Sequence, residues 1–348
     1  MEMIADLAAT FVAQLQKPTL AFLIGGMVLA ALGSRLAVPE PVYKFIVLVL
    51  LLKVGLGAGI AVRESSLTAL LIPALAAAAV GVGIVLLGLV TLVRLRGVTL
   101  DDGMATVGLF GAVSASTLAA GMAMLDAEGI RYEGFIGALY PFMDVAALLT
   151  AIILARLAAE RRAATAVSGG TMALGGGRGL PIGKIVRPIL VDTVQSPAIS
   201  ALLLGLALGI FARPDAVYES FYEPLFRGLL SILMLIMGME AWSRLSELKG
   251  VAQAYIAYAL AAPLVHGALG FGAGLLAHHL AGFSGGGVVL LAVMAASSSD
   301  ISGPPTMRAS LPQANPSAYV GASTGLGTPV AILSIPLWIA LAEAFVGL

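Results

Sequence analysis

The sequence has 348 residues and no net formal charge; 59% of its residues are hydrophobic and only 11% are charged. Because an ordinary soluble domain has about 25% charged residues, this composition excludes a soluble fold. The chain has no cysteine, which excludes disulfides and thiolate chemistry, and its three histidines do not form an ordinary metal site by themselves. We therefore expect no cofactor.

Apolar runs long enough to cross a bilayer, about 20 residues, recur along the whole chain. They predict a polytopic all-α membrane protein and not a β-barrel, which would show weakly alternating segments of about ten residues. The first five spans are placed at residues 17–36, 39–62, 66–94, 98–126 and 133–159. The second five are placed at residues 196–213, 220–243, 250–280, 282–309 and 316–346.

A Gly-rich, basic stretch separates two groups of five spans. It divides the chain into an N-terminal repeat of residues 1–159, a cytoplasmic linker of residues 160–192 and a C-terminal repeat of residues 193–348. The repeats share a layout, because "KPTLAFLIGGMVLAALGSRLAVPEPVYKF" parallels "SPAISALLLGLALGIFARPDAVYESFYEP". An odd number of spans per repeat turns the second repeat upside down. We therefore predict ten transmembrane helices in two inverted repeats, a frequent plan of secondary transporters.

The basic residues near the span ends predict the orientation. With the N-terminus outside, most Lys and Arg residues fall on the cytoplasmic side, and the outside keeps only Lys17, Arg63, Arg131 and Arg213. This asymmetry favours both termini outside and the linker in the cytoplasm.

The fourth span of each half is interrupted by small polar residues, "GAVSAST" in the first half and "AASSSDISGPP" in the second. In the second half we expect one half-helix to end near Ser298. Ser302 would then N-cap a new half-helix that begins with Pro304 and Pro305, where proline is tolerated because the amide has no helical partner. The first half has a softer break at residues 114–117. Irregular backbone at membrane depth survives only inside protein or along a cavity, so both breaks predict discontinuous helices that line a site.

The breaks predict an ion site. Half-helix N-termini present backbone N–H groups and about half a positive charge, which attract an anion. Asp144 and Asp300 are the intramembrane acids nearest the breaks, and their oxygens would suit a small hard cation such as sodium. The alternatives are serines that bond back to the preceding helical turn and a structural hydrogen bond for Asp144. The cluster of five polar residues within residues 297–302, mirrored in the other half, favours the ion site.

Ionisable residues elsewhere in the spans are interpreted as structural. We expect ion pairs or subunit contacts for Lys53, Arg227 and Glu240, and a helix-packing role for His266.

Four motifs together resemble the cyanobacterial sodium-dependent bicarbonate transporter family, SbtA: "GLFGAVSASTLAAGMAML", "FRGLLSILMLIMGMEAWSRLSEL", "AASSSDISGPPTMRASLP" and "NPSAYVGASTGLGTPVAI". The resemblance implies a sodium/bicarbonate symporter of the plasma membrane that serves a carbon-concentrating mechanism. It also implies a homotrimer, in which a gate part of spans one, two, six and seven holds a core part containing the two crossed, broken helices. Transport would be elevator-like. The PII-like regulator SbtB would dock from the cytoplasm.

Carried onto this chain, the resemblance gives two sets of site residues. The bicarbonate site would comprise Ser114, Ala115, Ser116, Thr117, Ser298 and Ser299. Sodium, the coupling ion, would be held by Asp144, Thr117, Asp300 and Ser302.

Other functions keep part of this pattern. A carrier of another small monoanion, or a sodium/proton exchanger using Asp144 and Asp300, would have the same architecture. An intramembrane aspartyl protease would hold the two aspartates within hydrogen-bonding reach of each other, but "PFMDVA" and "SSSDIS" lack the motifs of such enzymes and the mirrored breaks would be unexplained. A passive channel would transport without sodium.

Overall fold

A computed structural model describes residues 18–64, 67–167, 194–247 and 253–348, together with the single residues 16, 187 and 191. This part of the chain is mainly helical and contains no strand. Seven of its helices are long and apolar enough to cross a membrane, and three apolar helices are shorter. The prediction of a polytopic helical membrane protein is confirmed.

The helices of the first half are α1 (Pro18–Ala31), α2 (Glu40–Glu64), α3 (Leu67–Val90), α4 (Leu100–Gly111), α5 (Ala115–Glu128) and α6 (Tyr140–Val167). Short 3₁₀ segments at Leu92–Arg94 and Gly134–Leu139 precede α4 and α6. α6 runs into the range predicted as the linker. Most of the predicted linker lies outside the described residues.

The helices of the second half are α7 (Pro197–Phe211), α8 (Glu223–Glu247), α9 (Gln253–Ala281), α10 (Gly285–Ala296), α11 (Gly303–Ser310), α12 (Pro316–Val320), α13 (Thr328–Leu333) and α14 (Ile335–Phe345). A helical turn at Asp215–Val217 and a π-helical turn at Tyr218–Tyr222 lead into α8, and a π-helical segment at Gly321–Gly327 joins α12 to α13. Each predicted span therefore contains a helix, and both fourth spans are interrupted as predicted. The first interruption lies at residues 112–114 and not at 114–117, because Ser114 caps a helix that begins at Ala115.

The interrupted helices lie at the centre of the bundle. α4 and α5 are almost entirely buried, and so is α10 from Gly286 to Ala296. α9 packs along α10, while α6 packs along α3 and α4. The breaks therefore lie among buried helices and beside a cavity that Asp300 lines, which are the places where irregular backbone in a membrane is tolerated.

Two helix pairs, α1 with α8 and α2 with α7, contact at glycines. A Cβ on Gly26 of α1 would overlap the Leu235 carbonyl oxygen of α8, and one on Gly55 of α2 would overlap the Leu202 carbonyl oxygen of α7. Only a residue without a side chain allows the backbones to approach this closely. The glycines thus fix both pairs at the same kind of short separation.

Candidate functional site

The two interruptions contact each other. The break between α4 and α5 covers residues 112–114, and the break between α10 and α11 covers residues 297–302. The Ser114 amide donates to Ser297 Oγ at 2.9 Å, and the Ser299 amide donates to the Leu109 carbonyl at 2.8 Å. Residues nearly two hundred positions apart in sequence therefore satisfy the backbone groups that the breaks expose.

The N-terminus of α5 faces this junction. Ser114 is its N-cap, because Ser114 Oγ accepts from the Thr117 amide at 3.1 Å. The first turn of a helix leaves its N–H groups without intrahelical partners, so the amides of Ala115 and Ser116 belong to the set that an anion would bind. All four residues are buried.

The Asp300 carboxylate lies at this same helix end. Its Oδ2 atom accepts from Ser116 Oγ at 2.6 Å and from Ser114 Oγ at 3.1 Å. A carboxylate is the side chain that a helix N-terminus favours. Asp300 therefore already supplies a negative charge where an external anion would bind.

The N-terminus of α11 differs from the prediction. Ser302 makes no side-chain cap; the cap is Ser299, whose Oγ accepts from the Gly303 amide at 2.9 Å. Ser302 is in the helical region of φ and ψ, so its hydroxyl is directed elsewhere. Because Pro304 and Pro305 have no N–H and Gly303 is already capped, α11 offers an anion few donors, and the two half-helix N-termini are not equivalent.

Asp144 ties α6 to both breaks. Its Oδ1 atom accepts from the Val113 amide at 3.1 Å and its Oδ2 atom accepts from Ser302 Oγ at 3.1 Å. Ser302 Oγ also lies 3.3 Å from the Tyr140 hydroxyl and 3.0 Å from Ser299 Oγ. Each carboxylate oxygen of this buried acid is thus engaged by the protein.

Two buried oxygens near the second break stand out. Among the residues that the structure describes, no hydrogen-bond partner reaches Asp300 Oδ1 or Thr324 Oγ1. Both residues line one cavity of about 240 Å³, here called the Asp300 cavity. Tyr43 and Glu240 line it from α2 and α8, and Arg308 lines it from α11. Unpartnered buried oxygens are costly unless a cation or water satisfies them.

The predicted site residues are all buried at this junction except Asp300, which is intermediate in exposure. Three of them bond differently from the predicted sets. Thr117 Oγ1 donates to Ser114 Oγ at 3.0 Å and to neither aspartate. Ser298 Oγ lies 3.2 Å from Thr328 Oγ1 in α13, and Asp300 bonds to serines that were assigned to bicarbonate.

Sequence reasoning missed four side chains of the junction: Ser297, Tyr140, Thr324 and Thr328. Ser297 lies inside the recognised polar cluster. The signal for the two threonines was "GASTGLGT", a small-residue stretch that forms the π-helical segment and the start of α13. A π-helical segment inside a helix often marks a functional site.

An apolar wall covers the site on the side of α2 and α8. The wall packs closely against the broken helices, because the cavity between them has a volume of only about 10 Å³. The wall residues are Val47, Leu50, Leu51, Val54 and Leu233, and the residues opposite are Ala115, Ser116, Ala119 and Ile301. The contact lacks charge, so sliding along it would break no ion pair.

Two of the residues interpreted as structural have partners that agree with that interpretation. The Lys53 ammonium lies 3.2 Å from Glu223 Oε2. His266 is buried, and its Nε2 atom lies 3.4 Å from the Tyr258 hydroxyl. Its ring packs edge-on against Phe110 and Tyr258.

The comparisons with known proteins give one family. The model of the Na+-dependent bicarbonate transporter superfamily matches residues 18–343, which include every helix described above except the last two residues of α14. A search of curated proteins gives no match.

Proposed function

The chain belongs to the Na+-dependent bicarbonate transporter superfamily, and on that premise we propose that it imports bicarbonate by symport with sodium. One observation carries the proposal beyond the family. The half-buried Asp300 lies between a helix N-terminus that suits an anion and a cavity where its second, buried oxygen suits a cation. Binding and movement of ions account for this arrangement without any catalytic step.

Bicarbonate binds at the N-terminus of α5 in this proposal. The Ala115 and Ser116 amides and the hydroxyls of Ser114 and Ser116 are the donors, because hydrogen bonds to an ionised acceptor are the strong ones. Thr117, Ser298 and Ser299 complete the surroundings. The N-terminus of α11 contributes less, since its two prolines carry no N–H.

Sodium binds beside it, at the second break. Asp300 Oδ1 and Thr324 Oγ1 are buried oxygens without a protein partner in the described part of the chain, and sodium prefers oxygen ligands as other hard cations do. Asp144, Ser302 and Thr117 were assigned to sodium from sequence. We now place Asp144 and Ser302 in support of the breaks, because each Asp144 oxygen already accepts a hydrogen bond.

Asp300 couples the two ions. Its carboxylate accepts from the Ser114 and Ser116 hydroxyls, and its negative charge would repel bicarbonate from the helix end. Sodium at Oδ1 neutralises the carboxylate, so the same hydroxyls can turn to bicarbonate. Each ion then binds better when the other is present. One sodium and one bicarbonate together carry no net charge, so the membrane potential does not oppose their joint entry, whereas it opposes a lone anion by about 2.3 kcal/mol per 100 mV.

The proposal includes the finer architecture. Ten crossings in two inverted five-helix repeats are supported by the glycine contacts, because Gly26 on α1 and Gly55 on α2 correspond to Gly205 on α7 and Gly238 on α8, and all four meet backbone. Both termini lie on the outer side of the plasma membrane. We also propose that the protein is a homotrimer whose core moves against the gate in an elevator-like way. A PII-like regulator binds on the cytoplasmic side, and the imported bicarbonate serves inorganic carbon concentration.

The alternatives fit the site less well. A protease dyad would bring Asp144 and Asp300 together, whereas their oxygens accept hydrogen bonds from different groups. A sodium/proton exchanger would leave the donors of the α5 N-terminus without a role. A carrier of another monoanion has the same geometry, so the cargo has to be measured.

The test is uptake of labelled bicarbonate into vesicles that contain the purified protein. We expect uptake to follow an inward sodium gradient and to stop when potassium replaces sodium. Nitrate, formate and chloride compete for uptake if the cargo is another monoanion. Gradient-independent uptake, or stronger transport of a competitor, would contradict the proposal.

A further inference from the structure

A second cavity lies on the far side of the apolar wall from Asp300. Its volume is about 560 Å³, and its charged lining residues are Lys53, Asp126, Arg131, Glu223 and Arg227. On α2, Lys53 and the Tyr43 of the Asp300 cavity are separated by about 15 Å, at 1.5 Å per residue. The wall residues of α2, from Val47 to Val54, overlap the interval between them. The two cavities therefore flank the wall.

Lys53 is an unusual residue of this second cavity. Its side chain is 5% exposed, whereas the side chain of its partner Glu223 is 49% exposed. The ammonium also lies 4.2 Å from the centre of the Phe226 ring, a contact that stabilises a desolvated cation. The ammonium is fixed in protein, while the carboxylate is half in water. Glu223 can therefore leave the pair at lower cost than Lys53.

The lining of the cavity as a whole has an excess of positive charge, since its three bases, Lys53 included, outnumber its two acids, Glu223 included. Asp126 accepts a hydrogen bond from the Tyr132 hydroxyl at 2.9 Å. Burial, and then the neighbouring Asp126 carboxylate, raise the pKa of Tyr132 well above its usual range, so this hydroxyl remains a donor. A cavity with this lining attracts a small anion.

We propose that Lys53 receives bicarbonate from the outer side of the membrane, and that the Glu223 carboxylate occupies Lys53 until the anion displaces it. The inference rests on the proposed function and on the orientation proposed with it, which puts residues 129–132 and Tyr218 outside. Bicarbonate carries a carboxylate-like group, so it can replace Glu223 on the ammonium without leaving a buried charge unpaired. Movement of the core along the apolar wall then brings the α5 N-terminus level with this cavity.

The test breaks one ion pair in two ways. Lys53→Met removes the receiving cation, and we expect the KM for external bicarbonate to rise roughly tenfold or more, since one hydrogen bond to a charged group is lost. Glu223→Gln removes the competing carboxylate, and we expect the same KM to fall. A purely structural pair would make the two variants alike. Equal shifts in both variants, or no shift in either, would overturn the inference.

The KM of Lys53→Met is also measured separately from each side of the membrane. In right-side-out vesicles the KM should change, whereas in inside-out vesicles, where bicarbonate enters through the Asp300 cavity, it should stay within twofold of the unmodified protein. Lys44→Met is the matched control, because this lysine lies near the other end of α2, is 71% exposed and pairs with Glu40 one turn away. We expect it to leave both KM values unchanged. An equal rise of KM on both sides for Lys53→Met would contradict the proposal.

Two further variants keep the test decisive if Lys53→Met fails to fold. Lys53→Met with Glu223→Gln removes both charges and leaves no unpaired buried ion, and its external KM should be raised as in Lys53→Met; an unmodified KM would overturn the inference. Lys53→Arg should restore much of the affinity. The unmodified protein is measured alongside. Absence of sodium-driven uptake by it would contradict the proposed function itself, while normal uptake with unchanged KM in the Lys53 variants would contradict only the role of Lys53.

Discussion

Asp300 accepts two serine hydroxyls at a helix N-terminus with one oxygen and leaves the other buried without a protein partner in the described chain. A structural aspartate would engage both oxygens, as Asp144 does. This difference supports the different tasks that we propose for the two acids. Asp144 bonds to both breaks, and Asp300 is the acid that we expect to respond to the ions.

Substitution Asp300→Asn tests this assignment. The amide keeps the shape of the side chain but removes its charge, so sodium loses its ligand and bicarbonate loses its competitor. We expect sodium-driven uptake to be lost. In the unmodified protein sodium should strengthen bicarbonate binding by about 5- to 150-fold, the usual range of coupling between two sites, and in the variant this dependence should vanish.

The measurement is bicarbonate affinity at several sodium concentrations, together with uptake under a sodium gradient. Asp101→Asn is the control, because that acid lies at the other end of α4 in a loose 3.5 Å pair with Arg162. The control should keep both uptake and coupling. Normal sodium-driven uptake by Asp300→Asn would refute the assignment.

At this scale the sequence predicted which residue types meet, but not which atoms bond. The polar clusters around Ser114 and Asp300 stood out because little else in the spans is polar. Their partners are backbone groups such as the Val113 amide and residues on other helices such as Thr328. Such contacts depend on how the helices cross, which no local pattern encodes.

At the scale of the helices, the close contact of α1 with α8 depends on glycine. Gly26 meets the α8 backbone, whereas a Cβ on its neighbour Gly25 would meet nothing within 4 Å. These adjacent residues of one helix form a matched pair for mutation. Helix propensity is equal for both, so only packing separates them.

We expect Gly26→Ala to destabilise the protein by about 1–3 kcal/mol, the usual cost of overpacking. Gly25→Ala should be neutral or stabilising by up to about 1 kcal/mol, since alanine favours a helix over glycine. Thermal unfolding in detergent, followed by tryptophan fluorescence, measures both. Equal unfolding temperatures for the two variants would show that the α1–α8 contact is not tight.

The sequence predicted where most helices begin and end to within about five residues, because apolar runs and breakers are local features. α6 is an exception, since it continues to Val167 in the range predicted as the linker. The sequence also predicted the interruption at "AASSSDISGPP". The predicted capping residue of α11, Ser302, was wrong. Ser302 is the residue directly before Gly303, but Asp144 of α6 binds its hydroxyl, which leaves Ser299 to cap the helix. A tertiary contact overrode the local rule.

At the scale of the whole molecule, two polar cavities are separated by the apolar wall. The Asp300 cavity reaches the site, whereas the second cavity is separated from it by the contact of Leu51 and its neighbours with Ala119. Among the described residues, the site therefore borders a polar cavity on the Asp300 side and the apolar wall on the other. The proposed elevator-like movement has to break this contact, whose lining residues carry no charge.

A cross-link across the wall tests this movement. The chain contains no cysteine, so Leu51→Cys and Ala119→Cys can be introduced without any background thiol, and both positions line the same small gap between α2 and α5. A short bis-thiosulfonate reagent should join them and stop uptake nearly completely, because the site can no longer leave the Asp300 side. Each single-cysteine variant treated with the reagent should still transport, and reductant should restore uptake in the double variant. Sodium should still bind to the cross-linked protein, since the Asp300 cavity stays open. Full uptake by the cross-linked protein would mean that the broken helices do not move along the wall, and an elevator-like mechanism would then be wrong for this chain.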